Sequence, residues 1–104
     1  MRIEEIAQDV YQSSLTRLFA NSASVVQYTV RDAALIEASH RGFVGNDLNE
    51  IVDYVELIDD RSRFIEYYSQ VHGVRPCRNE IERFTRLSPV ERIIEIGELA
   101  EDVI

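Results

Sequence analysis

Chain-breaking residues are scarce in this sequence, and that shortage limits what it can fold into. Two prolines and four glycines punctuate 104 residues. A many-turned β-protein needs more punctuation; a few long helices do not. The apolar residues agree. Over residues 2–20, Ile3, Ile6, Ala7, Val10, Tyr11, Leu15, Leu18 and Phe19 recur at spacings of three and four, which is one helical stripe. Glu4 and Glu5 in the first turn and Arg17 near the end suit the helix dipole. Asn21-Ser22 then breaks the pattern and can cap the next element.

Residues 23–41 carry two patterns at once. Val25, Val26, Tyr28, Thr29 and Val30 favour a strand by propensity, and Val26, Tyr28 and Val30 alternate. Val26, Val30, Ala33 and Ala34 also share a helix face, and Gly42 can end that helix. No second strand candidate offers a partner, so a helix is expected. Arg41-Gly42-Phe43-Val44-Gly45 reads as a short loop. Its apolar pair, Phe43 and Val44, either plugs the core or protrudes as a contact, and plugging is the expectation. Asn46 or Asp47 is expected to cap the next helix, with Leu48, Ile51, Val52, Val55 and Ile58 inward. Asp59-Asp60-Arg61-Ser62 is a candidate interruption. Either a separate helix starts at Asp60 or Ser62 and runs to His72, with Phe64, Ile65, Tyr68 and Val71 inward, or one long bent helix covers 47–72.

The stretch Tyr67-Tyr68-Ser69-Gln70-Val71-His72-Gly73-Val74-Arg75-Pro76-Cys77 ends that helix in a rigid corner. Gly73 can take the left-handed conformation of a helix C-terminus, and His72 complements the dipole. Pro76 cannot continue a helix and pushes Arg75 towards an extended conformation. Asn79 can then cap a short helix, Glu80 to Leu87, with Ile81 and Phe84 inward. Ser88-Pro89-Val90-Glu91 is the strongest start signal in the chain. It sets serine at the cap, proline at the first helical position and glutamate at the third. This last helix is expected to bury Val90, Ile93, Ile94, Ala100 and Val103. Gly97 within it is unfavourable by about 1 kcal/mol relative to alanine, and it either permits close approach of another helix or marks a bend. The expectation is an all-α single compact domain of five or six helices.

Such a chain can bury roughly two-thirds of its unfolded surface, enough for one modest core. Apolar residues make up 45% and charged residues 29%, as in ordinary globular proteins and unlike disordered ones. The net charge of −8 argues against direct binding to a phosphate backbone, which needs a basic footprint. It suits an acidic surface or a basic partner, such as a protein that itself handles nucleic acid. Every one of the 11 basic residues is arginine. Arginine favours interfaces, although a GC-rich genome gives the same bias. One cysteine leaves no internal disulfide and points to a reducing compartment. The start, Met1-Arg2-Ile3-Glu4-Glu5, has no apolar signal-peptide core, and no apolar run approaches a membrane span. A cytoplasmic protein away from membranes is expected.

Catalytic chemistry finds little support. His40, His72 and Cys77 are the only imidazoles and thiol, too few for a zinc site. Cys77 with His72, near Arg75 and Arg78, is the one nucleophile–base pair worth naming, and a half-buried thiol beside a loop explains it as well. Adjacent carboxylates such as Glu4/Glu5, Asp59/Asp60 and Glu101/Asp102 face different ways on a helix, so none is singled out as acid and base. No metal, no cofactor and no enzyme activity are expected.

Binding is better represented. Glu91, Glu95, Glu98 and Asp102 lie along one face of the last helix, and Glu50, Asp53, Glu56, Asp59 and Asp60 form a second acidic series. Rows of carboxylates on helices can imitate a phosphate backbone, or they can simply be solvated. Tyr67 and Tyr68 cannot both face a core. Exposed tyrosine and arginine are favoured at binding hot spots, so Tyr67 with Arg75 is the expected contact patch, with His72 and Arg78 beside it.

Residues 68–76, Tyr-Ser-Gln-Val-His-Gly-Val-Arg-Pro, resemble a motif of small uncharacterised proteins of tailed bacteriophages. Those proteins have a helix, a tyrosine, then an aromatic residue or histidine, glycine, an apolar residue and Arg-Pro, often followed by another arginine. A Ser- or Thr-started acidic helix tends to come next, as Ser88-Pro89-Val90-Glu91 does. The resemblance covers residues 60–100, and Cys77 stands where the second arginine is common. It implies a phage or prophage origin and no particular activity. The expected function is a non-enzymatic accessory protein that binds and modulates a host protein of transcription, restriction or CRISPR defence in the host cytoplasm. Its partner surface is Tyr67, His72, Arg75, Arg78, Glu91, Glu95, Glu98 and Asp102. The alternative is a structural or assembly component, with a homodimer the simplest assembly.

Overall fold

The computed structural model describes residues 2–20 and 29–103. These residues form five α-helices, and none of them lies in a strand. The helices are α1 (Ile3–Ala20), α2 (Val30–His40), α3 (Gly45–His72), α4 (Arg78–Thr85) and α5 (Pro89–Asp102). The all-α expectation holds, with five helices. The chain divides into two compact units, Met1–Ile58 and Asp59–Ile104.

In the first unit most of the periodic apolar residues do what their spacing predicts; Phe19, in the last turn of α1 beyond the reach of the core, does not and is 75% exposed. Ala7, Val10 and Tyr11 of α1, Ala34 and Ala38 of α2, and Ile51, Val52, Val55 and Ile58 of α3 make one core. Alanines on α2 let α1 pack closely against it. The start of α2 is fixed by a capping box. The Asp32 N–H donates to the Thr29 hydroxyl at 3.1 Å, and the Thr29 N–H donates to the Asp32 carboxylate at 3.2 Å. The helix expected over 23–41 therefore begins at Val30 among the described residues. The cap expected at Asn21-Ser22 and most of the strand-like stretch lie outside them.

Gly42 ends α2 in the left-handed region, at φ +91°. The Phe43 N–H reaches back to the Ala38 carbonyl at 3.1 Å and the Gly42 N–H to Ser39 at 3.0 Å, the paired bonds of a Schellman motif. Phe43 packs on the core as expected, and Val44 does not: it is 75% exposed. Two arginines on this unit link neighbouring elements. Arg17 donates to Glu37 at 2.6 and 2.9 Å, and Arg31 donates to Asp53 and Glu56 at 3.0 Å each. Those two carboxylates hold the Arg31 guanidinium above its ordinary pKa.

Two boundaries differ from expectation, and one open choice is decided. α3 starts at Gly45, so Asn46 and Asp47 fall in its first turn and do not cap it. Of the two readings open for residues 47–72, the single long helix is the one found: α3 runs through Asp59-Asp60-Arg61-Ser62 without a break. Both acids have arginine partners: Asp59 pairs with Arg63 one turn on at 3.2 Å, and Asp60 is the buried partner of Arg92 of α5. Finally, α4 starts at Arg78 with Cys77 at its N-cap, not with Asn79 there. The extended backbone of Cys77, after a buried Pro76, sets the start, and no side chain caps it.

The second unit has a different kind of core. Phe64 of α3 and Phe84 of α4 are fully buried and stack, with ring centroids 4.3 Å apart and planes 9° from parallel. Burying each ring contributes about 2–3 kcal/mol. Tyr68 lies against Phe64 at 5.7 Å. Gly73 closes α3 at φ +75°, its N–H donating to the Ser69 carbonyl at 2.9 Å, as the sequence suggested.

Candidate functional site

α5 begins as its sequence demands. The Glu91 N–H donates to the Ser88 hydroxyl at 3.2 Å, the Ser88 N–H donates to the Glu91 carboxylate at 3.1 Å, and Pro89 takes the first turn. The Ser88 backbone N–H, and after it the Ser88 hydroxyl, hold the Glu91 carboxyl below its ordinary pKa.

The face that α5 turns inward is not the expected one. Val90, Ile93 and Ile94 are 66%, 62% and 55% exposed, and Ala100 is exposed as well. The buried residue is Arg92, only 6% exposed. Its guanidinium donates to Asp60 of α3 at 2.9 Å and to the Leu87 carbonyl at 3.0 Å. Ile96, Leu99 and Val103, at spacings of four, three and four from Arg92, are partly buried along the same side.

The physical reason lies in the breadth of the apolar arc of α5. Val90, Ile93, Ile94 and Ala100 occupy one part of it and Ile96, Leu99 and Val103 the part next to it, with Glu91, Glu95, Glu98 and Asp102 opposite. Burying one part in place of the other changes little, since each aliphatic side chain contributes about 1.5–3 kcal/mol whichever it is. The ion pair decides. Withdrawing Arg92 would take a charged partner from the buried Asp60, a loss of about 3–5 kcal/mol. The breadth of that arc is the signal that could have been read from sequence: such a helix has more apolar surface than one core can cover.

The exposed face is a regular stripe. Val90, Ile93, Gly97 and Ala100 recur at three, four and three residues, and Ile94 widens the stripe on one side. Gly97 lies mid-stripe, and a Cβ there would meet open space. Beside the stripe runs a groove of about 270 Å³ lined by Arg83, Leu87, Glu91, Ile94, Glu95 and Glu98. Leu87 and Ile94 supply apolar surface in it, and three carboxylates outnumber one guanidinium.

The sequence-derived contact residues fall into two groups. Glu91, Glu95 and Glu98 come together in the groove. They are not equivalent. Glu91 is engaged in the cap, and Glu95 holds Arg83, which also donates to Glu80 at 3.1 Å. Those two hydrogen bonds, to Glu95 first and then Glu80, raise the Arg83 pKa. Glu98 and Asp102 are exposed and have no ion-pair partner among the described residues. The second acidic series is not a free row either: Asp53 and Glu56 serve Arg31, Asp59 serves Arg63, and Asp60 serves Arg92.

The corner residues form the other group. Arg75 is exposed, and Arg78 pairs with Glu82 one turn on at 3.0 Å. The ring that meets His72 is that of Tyr68, at 4.3 Å. Tyr67 is partly buried, and no hydrogen bond, ion pair or ring contact joins it to Arg75 among the described residues. Cys77 is exposed at the start of α4. Among the described residues no cluster of three or more His, Cys, Asp or Glu is placed to hold a metal ion, and no helix is long and apolar enough to cross a membrane. No protein-family model, no curated protein and no solved structure matches the chain.

Proposed function

We propose that this chain is a non-enzymatic binding protein, acting as a phage-type accessory factor that occupies and modulates a host protein in the host cytoplasm. The observation that supports the reading is the outward stripe of α5, Val90-Ile93-Ile94 on a helix whose rotation is fixed by Arg92 and Asp60. Apolar side chains clustered on a surface mark an interaction site more often than solvated decoration. The surrounding carboxylates suit a basic target, as nucleic-acid-handling machinery of transcription, restriction or CRISPR defence would be. In this reading α5 carries the contact.

A second copy of the chain covering the same stripe is the competing reading, and it would make the protein an assembly component. The test is affinity capture from bacterial lysate with the tagged protein and its Ile93→Asp variant, at low and high salt. One dominant host protein, held by the parent and lost with Ile93→Asp, is the expected result. Recovery of the protein only with itself, as a defined oligomer in light scattering, replaces this reading with assembly.

A further inference from the structure

We propose that the α5 stripe and the groove beside it together take one basic amphipathic helix, whose apolar face covers Val90, Ile93, Ile94 and Gly97 and whose arginine or lysine side chain lies in the groove and reaches Glu98. The proposal rests on the binding function proposed for α5 and names the chemistry of its partner. Three features select this occupant over others.

The stripe has helical geometry. Val90, Ile93, Gly97 and Ala100 repeat at the three–four–three spacing by which one helix packs along another. The small residues in it lower the surface locally. With open space where a Gly97 Cβ would be, a partner backbone can approach there more closely than it could over a third isoleucine.

The charge has one sign. Glu91 and Glu98 stand exposed along one flank, and Glu101 stands on that same side, next to Ile94. Arg83, the one cation among the described residues lining the groove, is already engaged by Glu80 and Glu95. A second copy would set these carboxylates against one another, and like charges facing across an interface are unfavourable. A helix flanked by arginine or lysine would neutralise them.

The groove fits the shape of such a side chain. Its apolar lining, Leu87 and Ile94, suits an aliphatic stem, and Glu98 stands open to the cationic head. Glu91 and Glu95 are held by the cap and by Arg83, so Glu98 is the carboxylate left to bind.

The experiment uses the whole protein and three synthetic helical peptides, read by fluorescence anisotropy and by amide chemical shifts. One has leucines at i, i+3, i+4 and i+7 flanked by arginines. The second keeps the leucines and has glutamates in the flanks. The third keeps the arginines and scrambles the leucines. The first should bind about tenfold or more tightly than either of the others at low salt, because both the apolar match and the charge match are required. Added salt should shrink its advantage over the glutamate peptide.

Shifts should centre on residues 87–101. Glu98→Gln and Ile93→Ser should each weaken binding several-fold. Gly97→Ala should weaken it while raising the melting temperature, a combination that loss of structure cannot produce. Equal binding of the arginine and glutamate peptides, equal binding of the scrambled peptide, or no binding of any peptide overturns the proposal. So does a stable dimer that Ile93→Asp dissolves. Capture of a host protein from lysate alongside peptide failure would remove this inference and leave the proposed function standing. Failure of both experiments would remove both.

Discussion

In the unit Met1–Ile58, α1, α2 and the first part of α3 meet through alanine, valine and isoleucine, and the arginines sit at the rim. In the unit Asp59–Ile104, an arginine is inside and three large aliphatic side chains of the same helix are outside. Helical spacing governs both units, but their cores differ: alanine and branched aliphatic side chains dominate the first and a stacked pair of phenylalanines the second. α5 carries an apolar arc broader than the part it buries, so burial leaves its rotation loosely set and the Arg92–Asp60 pair fixes the choice. A buried ion pair is weak evidence for stability, because a well-packed apolar pair often does as well. It is stronger evidence for orientation, since only one rotation of α5 satisfies it.

The largest test of that contrast is Asp60→Ala. It leaves the Arg92 guanidinium buried without its partner and should destabilise by about 3–5 kcal/mol in chemical denaturation. The double change Asp60→Leu, Arg92→Met should recover most of that loss. If it does so with hydrogen exchange showing the Ile93 side of α5 newly protected, then the ion pair alone held the stripe outward. A double variant as unstable as Asp60→Ala would mean that packing of Ile96 and Leu99 sets the rotation by itself.

Ile51→Ala and Ile93→Ala compare the two units directly. The first removes a fully buried side chain from the aliphatic core and should destabilise by about 2–5 kcal/mol. The second changes an exposed position and should stay within about 0.5 kcal/mol of the parent. Similar losses at the two positions would contradict the outward placement of α5's stripe.

Ser88→Ala should destabilise by about 1 kcal/mol through loss of the cap. The reciprocal half of that cap titrates. The Glu91 carboxyl is held below its ordinary pKa in the folded protein, so its contribution is fully present above the unfolded carboxylate value, about 4.3, and is lost as pH falls through the folded value. Glu91→Gln should therefore flatten stability against pH below about 4.3, and an unchanged acid limb would show that the cap does not titrate. The smallest effect runs the other way. Gly97→Ala should stabilise by about 1 kcal/mol, since the new methyl group meets open space and alanine is the better helix former. A loss of melting temperature there would mean that Gly97 is a packing or bend position.

The sequence was most readable where one signal acted alone. The Ser88 capping box, the glycine ends at Gly42 and Gly73, and the inward faces of α1 and α3 came from local chemistry and period. Thr29-Val30-Arg31-Asp32 carried the same cap signature and was masked by the β-propensity of the valines before it. Asp59-Asp60 looked like a helix break because two adjacent acids favour turns and caps. Nothing local says that Asp60 meets Arg92, 32 positions away. That one long-range pair also hid the orientation of α5. The acidic rows were legible as composition and misleading as a surface, since most of their members have an arginine beside them in space. The corner at Gly73–Pro76 was placed correctly, but the ring beside His72 belongs to Tyr68 and not Tyr67, which a one-residue shift around the helix decides.

The outward stripe of α5 also bears on how this chain can change over generations. Val90, Ile93 and Ile94 contribute little to the packing of their own unit, so a substitution there is screened by what it does to binding and hardly at all by what it does to folding. Arg92, between them in sequence, is under the opposite regime. A single helix thus interleaves positions that selection can rewrite freely with one that it must keep. The binding surface can be retuned to a new target by single substitutions without first acquiring compensating stability.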